Sequence, residues 1–153
     1  MAAFSKSADG RKTVRGFESL SRRILKHGGI MYYTSYFANI KNLPKDVVPI
    51  AICGKAPVGY LGLQYKKLAP TWQIYRDWKF EHHNNDIYTS QFTHQILNQL
   101  DQLLVEDELL ALTNHRTFCL VCYEKSGDFC HRHIVAEWLR KRGIDIQEFV
   151  KNA

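Results

Sequence analysis

The pattern of apolar and polar positions divides the chain at Gly28-Gly29. Before the glycines, Val14, Phe17, Leu20, Ile24 and Leu25 recur at helical spacing among basic side chains. Residues 1–29 therefore read as a basic N-terminal extension, either an amphipathic helix or a disordered tail. After the glycines the period shortens. Residues 30–36 are aromatic and β-prone and predict a strand, and residues 47–53 form a second apolar run closed by Gly54. The stretch from Lys55 to Pro70, broken by Pro57, Gly59 and Gly62, reads as a long loop. Loops of that length in compact domains are functional or locally folded.

Thr71 stands where an N-cap belongs, ahead of Trp72, Ile74, Tyr75 and Trp78, and predicts a helix running to Asn84-Asn85. A second helix is expected from near Asp86, with Phe92, Ile96, Leu100, Leu103 and Leu104 as one inward stripe. Thr117–Glu124 is a continuous apolar run of strand length. Lys125-Ser126-Gly127 then turns the chain, and Asp128 is placed to cap a helix over about 129–141, with Ile134, Val135, Trp138 and Leu139 facing inward. Gly143 stops that helix, and Ile144 and Ile146 alternate as a further strand. Strand, helix and strand in this order make a C-terminal βαβ unit. The fold class expected for residues 30–153 is a single α/β domain: a small three-layer, Rossmann-like sandwich around a mainly parallel sheet.

Composition changes this picture little. The chain of 153 residues is 45% hydrophobic and 24% charged, as a globular domain is. No apolar run nears the roughly 20 residues that span a bilayer, so no membrane span is expected. The N-terminus lacks the apolar core of a secretory signal. The net charge of +6 is concentrated in the extension, where seven basic and two acidic side chains leave +5. The body is nearly neutral, and its charge does not point to a nucleic-acid-binding surface. Four cysteines without a secretion signal suggest reduced thiols and a cytoplasmic setting.

The candidate chemistry gathers at one strand–loop–helix junction. Glu124 falls at the carboxyl end of a strand, the place where ligands bind in open α/β sheets. Cys130, His131 and Arg132 open the following helix, whose free amides and positive dipole end favour anions. Arg132 adds a planar donor fork for carboxylate or phosphate. A cysteine at such a terminus has more thiolate character, a strand-end carboxylate suits acid/base work, and His131 suits proton transfer. The expected catalytic set is Glu124, Cys130 and His131. The expected ligand-binding set is Arg132 with Tyr33, Ser35, Tyr36, Tyr65 and Lys66. Each also has a plain reading: Cys122 and Cys130 as core thiols, Glu124 as a surface ion-pair partner, His133 as solvent-facing.

Cys119-x-x-Cys122 with Cys130 and His133 has the ligand types of a structural zinc site. Residues three apart in a strand face opposite ways, so Cys119 and Cys122 do not converge, and no metal or other cofactor is expected. There is no dinucleotide glycine fingerprint and no P-loop. The function expected is an enzyme acting on a nucleotide or nucleic-acid component; a binding module without chemistry and a purely structural box are the alternatives.

The run Cys122-Tyr-Glu124-Lys-Ser-Gly-Asp-Phe-Cys130-His131-Arg132-His-Ile-Val-Ala136-Glu137 resembles the C-x-E…C-H-R…A-E box of domain-of-unknown-function family 488, known from bacteria and their phages. Tyr33-Thr34-Ser35-Tyr36-Phe37-Ala38 and the stretch Gly62–Trp72 resemble its short phage-type members. The resemblance runs from about Met31 to Phe149. It implies a compact cytoplasmic α/β domain with the box as its site, and it supplies no substrate.

Overall fold

The computed structural model describes residues 31–151, so the reading of 1–29 as an extension lies outside the described residues. Five strands form one sheet: β1 (Tyr32–Tyr36), β2 (Val48–Ala51), β3 (Leu63–Gln64), β4 (Phe118–Cys122) and β5 (Ile146–Glu148). All pair in parallel, in the order β3-β2-β4-β1-β5. β4 lies at the centre, pairing Leu120 with Thr34 on one side and with Ile50 on the other. It is buried over its whole length, which is why its sequence is an unbroken apolar run.

The protein is a small α/β sandwich. The four α-helices among the described residues are α1 (Trp72–Arg76), α2 (Asn85–Gln95), α3 (Gln102–Leu112) and α4 (His131–Arg140). Ile74, Phe92, Leu109 and Leu139 from them share a core with Tyr32, Ile50, Phe118 and Leu120 of the sheet. Among the described residues the opposite layer is thin. There Val47, Ala51, Cys119 and Val121 are covered by a 3-10 turn (Phe37–Asn42) and by Ala56 and Tyr60 of the loop after β2. That loop is locally folded, carrying β3 and a second 3-10 turn at Lys66–Leu68.

Three expectations are corrected. The stripe from Phe92 to Leu104 is not one helix: α2 ends at Gln95, a 3-10 turn (Leu97–Gln99) leads to an extended Leu100 at φ −122°, and Asp101 caps a new helix by accepting from the Leu104 amide at 3.1 Å. The break resets the helical phase, so Val105 and Leu109 face inward while Leu104 is exposed. Asp128 does not cap α4; Cys130 occupies the N-cap position, and Asp128 closes a turn onto the Lys125 carbonyl. Along α4 the fully buried apolar face is Val135, Ala136 and Leu139, with Ile134 and Trp138 only partly covered.

α1 is capped by Thr71, whose hydroxyl accepts from the Ile74 amide, and continues as a π-helical turn (Asp77–His82) ending at a left-handed His83. The wider turn swings Trp78 towards the sheet's carboxyl edge, where it stacks on Phe129 with ring centres 5.8 Å apart. No helix among the described residues is long and apolar enough to cross a membrane.

Candidate active site

The site follows from where β4 stops. Parallel strands release their chains at one edge, and β4 ends there at Cys122, with β2 ending beside it at Ala51. The chain loops through residues 123–129 and returns as α4, so Cys130 and His131 come back over Cys122. The two sulfurs and His131 Nδ1 all lie within 4.8 Å of one another. Nδ1 is 3.6 Å from the Cys122 sulfur and 4.0 Å from that of Cys130. On the far side of the ring, Nε2 is 2.7 Å from the Ile52 carbonyl. A carbonyl only accepts, so Nε2 carries a hydrogen and Nδ1 is the ring atom turned to the sulfurs.

The two thiols are shifted in opposite directions. Hydrogen bonding to Cys130, then burial, push the Cys122 thiol up. Cys130 goes the other way: the Cys122 thiol donates to its sulfur, and His131 and the Arg132 amide add to this against the penalty of burial. Glu124, two residues past β4, has its carboxyl pushed up by desolvation and by the neighbouring Cys130 sulfur. Burial also pushes up the Cys53 thiol.

These groups open onto a cavity of about 790 Å³, within the range of small-molecule sites. Cys122, Cys130 and His131 line it together with Glu124, Cys53 and Lys55. Its walls are aromatic: Trp72, Tyr75 and Trp78 from α1 and its continuation, Tyr88 from α2, and Tyr123 and Phe129 from the loop before α4. Trp78 is held by its indole N–H donating to Asn85 Oδ1 at 2.9 Å, and Phe129 meets Tyr88 edge-on at 5.1 Å. Tyr123 donates to the Lys55 carbonyl, tying the two strand-end loops together.

Glu124, Cys130 and His131 thus meet on one cavity, while the expected ligand-binding residues do not join them. Arg132 is fully buried. Its Nε and Nη2 donate to Glu148 at 3.2 and 2.9 Å, and its Nη1 donates to the Glu124 carbonyl. Glu148 also accepts from Thr34 and Ser126, both at 2.6 Å. The guanidinium is therefore spent on joining α4 to β5 and to the loop after β4, and this corrects its placement in the cavity.

Tyr36 lies against that guanidinium and Tyr33 meets Phe149 edge-on. Ser35 is buried and accepts from Asn39. Tyr65 donates to Glu108, and Lys66 to the Gly54 carbonyl. None of these five lines the cavity. Cys119 is not part of the group formed by Cys122, Cys130 and His131. His133 approaches Glu148 at 4.0 Å from a partly exposed position.

Cys53, Lys55 and the aromatic walls were missed. One signal was available: Cys53-Gly54-Lys55 follows a parallel strand at its carboxyl end, where the rule used for Glu124 applies equally. The aromatic walls carry no such mark, because α1 and α2 reach the site only through tertiary packing.

The Glu148 cluster has a pH signature. Burial alone would raise its carboxyl, but the hydrogen bonds from Arg132, Ser126 and Thr34 outweigh it and hold the pKa below the usual value. A carboxylate lowered by folding stabilises fully above its unfolded pKa, about 4.3 for glutamate. That stability drains away as pH falls through the lower folded value. Urea midpoints measured from about pH 6 to pH 3 are expected to fall less steeply in Glu148→Gln than in the wild type. Parallel curves would show that the cluster is not coupled to folding.

Residues 39–143 match a family model described as the active DUF488-N3 subclade. The chain belongs to the DUF488 family. The DUF488 match takes in β2, all four helices and the complete Cys122–Arg132 segment, and so includes every residue lining the cavity. It stops before β5, leaving Glu148 outside. No curated protein and no solved structure matches the chain.

Proposed function

We propose that this DUF488 protein is an enzyme acting on a nucleotide or nucleic-acid component, bound in the aromatic cavity. The observation that carries the proposal is the arrangement of reactive side chains within an aromatic enclosure. Cys130 and Glu124 share a wall of a cavity whose other walls are six aromatic rings. Aromatic faces take heterocyclic rings of any identity by stacking. Among the described residues Lys55 is the cation on the wall, and it replaces Arg132 as the partner for an anionic group. Glu124 is placed for proton transfer and Cys130 for attack or charge stabilisation. The four free, buried cysteines suit a reducing compartment such as the cytoplasm.

The experiment is a panel of nucleosides, mononucleotides and dinucleotides, read by tryptophan fluorescence and thermal shift. Trp72 and Trp78 both line the cavity, so occupancy is expected to quench emission. Trp78→Ala removes a stacking face worth about 1–3 kcal/mol. It is expected to weaken binding roughly ten- to a hundredfold, at 1.4 kcal/mol per factor of ten. A panel in which nothing binds, or a Trp78→Ala protein that binds as tightly as wild type, would overturn the nucleotide reading.

A further inference from the structure

We infer that Cys122, Cys130 and His131 form a binding site for one borderline-soft transition-metal ion of the zinc class, with its fourth position open to the cavity. The distances carry this. Tetrahedral zinc with bonds of about 2.3 Å to sulfur and 2.0–2.1 Å to nitrogen sets its ligands about 3.5–3.8 Å apart. Nδ1 stands 3.6 Å from one sulfur and 4.0 Å from the other, and all three donor atoms fit within 4.8 Å. An ion entering between them moves each sulfur relative to Nδ1 by at most a few tenths of an ångström, and the two sulfurs together by no more than about 1 Å. Three soft or borderline donors and no hard oxygen select zinc, or cobalt as its substitute, over magnesium or calcium.

The ring of His131 is a second, independent observation. A metal-binding histidine ordinarily gives its other N–H to a carbonyl or carboxylate, which fixes the ligating nitrogen in place. Here Nε2–H donates to the Ile52 carbonyl at 2.7 Å and turns Nδ1 to the sulfurs. Cys119 and Cys122 face opposite ways along one strand. Cys122 and Cys130 come instead from a strand end and a helix cap, and they converge.

Structural zinc sites close with four protein ligands, whereas catalytic sites hold three and leave one position for water or substrate. Among the described residues this group has three members, all on the cavity wall, with the Glu124 carboxyl beside them. Cys53 lines the same cavity but stands outside the group. The inference goes beyond the proposed function: it assigns the Cys130 thiolate to the ion in place of attack, and it does not depend on a nucleotide, since the metal is tested with none present.

The test is titration of the full-length protein, reduced and stripped of metal, with cobalt(II). Saturation at one equivalent is expected, with thiolate-to-cobalt charge-transfer bands and the strong visible bands of a four-coordinate ion, all bleached by one equivalent of zinc. Cys122→Ser, Cys130→Ser and His131→Ala are each expected to weaken cobalt binding by at least about tenfold, the lower end of the loss seen for outer-shell changes. Cys53→Ser and Cys119→Ser are expected to leave the spectrum unchanged. A readout on the wild type avoids variants that fail to fold: one equivalent of zinc should slow alkylation of Cys122 and Cys130, mapped by peptide mass, and not that of Cys53. A weak six-coordinate spectrum, bands that survive His131→Ala, or alkylation of Cys122 and Cys130 indifferent to zinc would overturn the inference. Nucleotide quenching measured on the same metal-stripped protein separates this outcome from failure of the proposed function.

Discussion

Glu148→Ala is expected to destabilise the protein more than any single change on the cavity wall. It strands the guanidinium of Arg132, which is fully buried and would keep, among the described residues, the Glu124 carbonyl as its hydrogen-bond acceptor beside the Tyr36 ring. Breaking a buried pair from one side costs about 3–5 kcal/mol, because the remaining charge stays desolvated. For a chain of this size the melting temperature should fall on the order of 10 °C. Arg132→Ala should cost less than Glu148→Ala. The stranded carboxylate keeps its bonds from Thr34 and Ser126, and its side chain is 20% exposed. Arg132→Lys should not restore stability, since an ammonium cannot reach both carboxylate oxygens and the carbonyl as the planar fork does. Calorimetry of the three variants checks the order. If Arg132→Ala melted with the wild type and instead lost ligand affinity, Arg132 would belong to the binding site after all.

Glu124→Gln should do the opposite: leave the fold intact and remove turnover. The side chain sits on the cavity wall past the end of β4, and its structural contribution through Arg132 is made by its backbone carbonyl, which glutamine retains. A positioned acid or base contributes about 10²–10⁴-fold in rate, so kcat on the substrate found by the nucleotide panel should fall by that factor. Binding should change little, because the stacking walls are untouched. Activity that survives the substitution would remove Glu124 from the chemistry. Bound nucleotide recovered unaltered from both proteins would favour a module that binds without reacting.

The box that resembles its family divides into two halves with different work. Cys122, Glu124, Cys130 and His131 face the cavity, while Arg132 turns away and locks α4 to β5. Residue type could not separate them. An arginine in the first turn of a helix suits an anion arriving from solvent, and it suits a carboxylate of the same chain equally well. Glu148, the actual partner, lies sixteen residues further on in a short strand whose register was not predicted.

His131 shows the same limit from the other side. Its identity and place in the first turn were legible, but its orientation depends on the Ile52 carbonyl, seventy-nine residues away. The helix break at residues 96–101 was hidden for a different reason. Leucines at 100, 103 and 104 continue the apolar stripe on paper, and only the cap formed by Asp101 resets the phase.

What the amino-acid order determined by itself is local: the buried central strand from its apolar run, the helix capped by Thr71, the amphipathic helix that ends before Gly143, and the βαβ unit that sets Glu124 and Cys130 at one junction. Periodicity encodes which face of an element is apolar, and parallel pairing brings strand ends to one edge, so the position of the site came with the fold. The tertiary structure decided which polar groups face solvent and which face each other. Aromatic walls from α1 and α2, the pairing of Arg132 with Glu148 and the approach of two sulfurs to Nδ1 all join residues distant in the chain. Contacts of that kind depend on how elements pack, and packing leaves no period in the sequence.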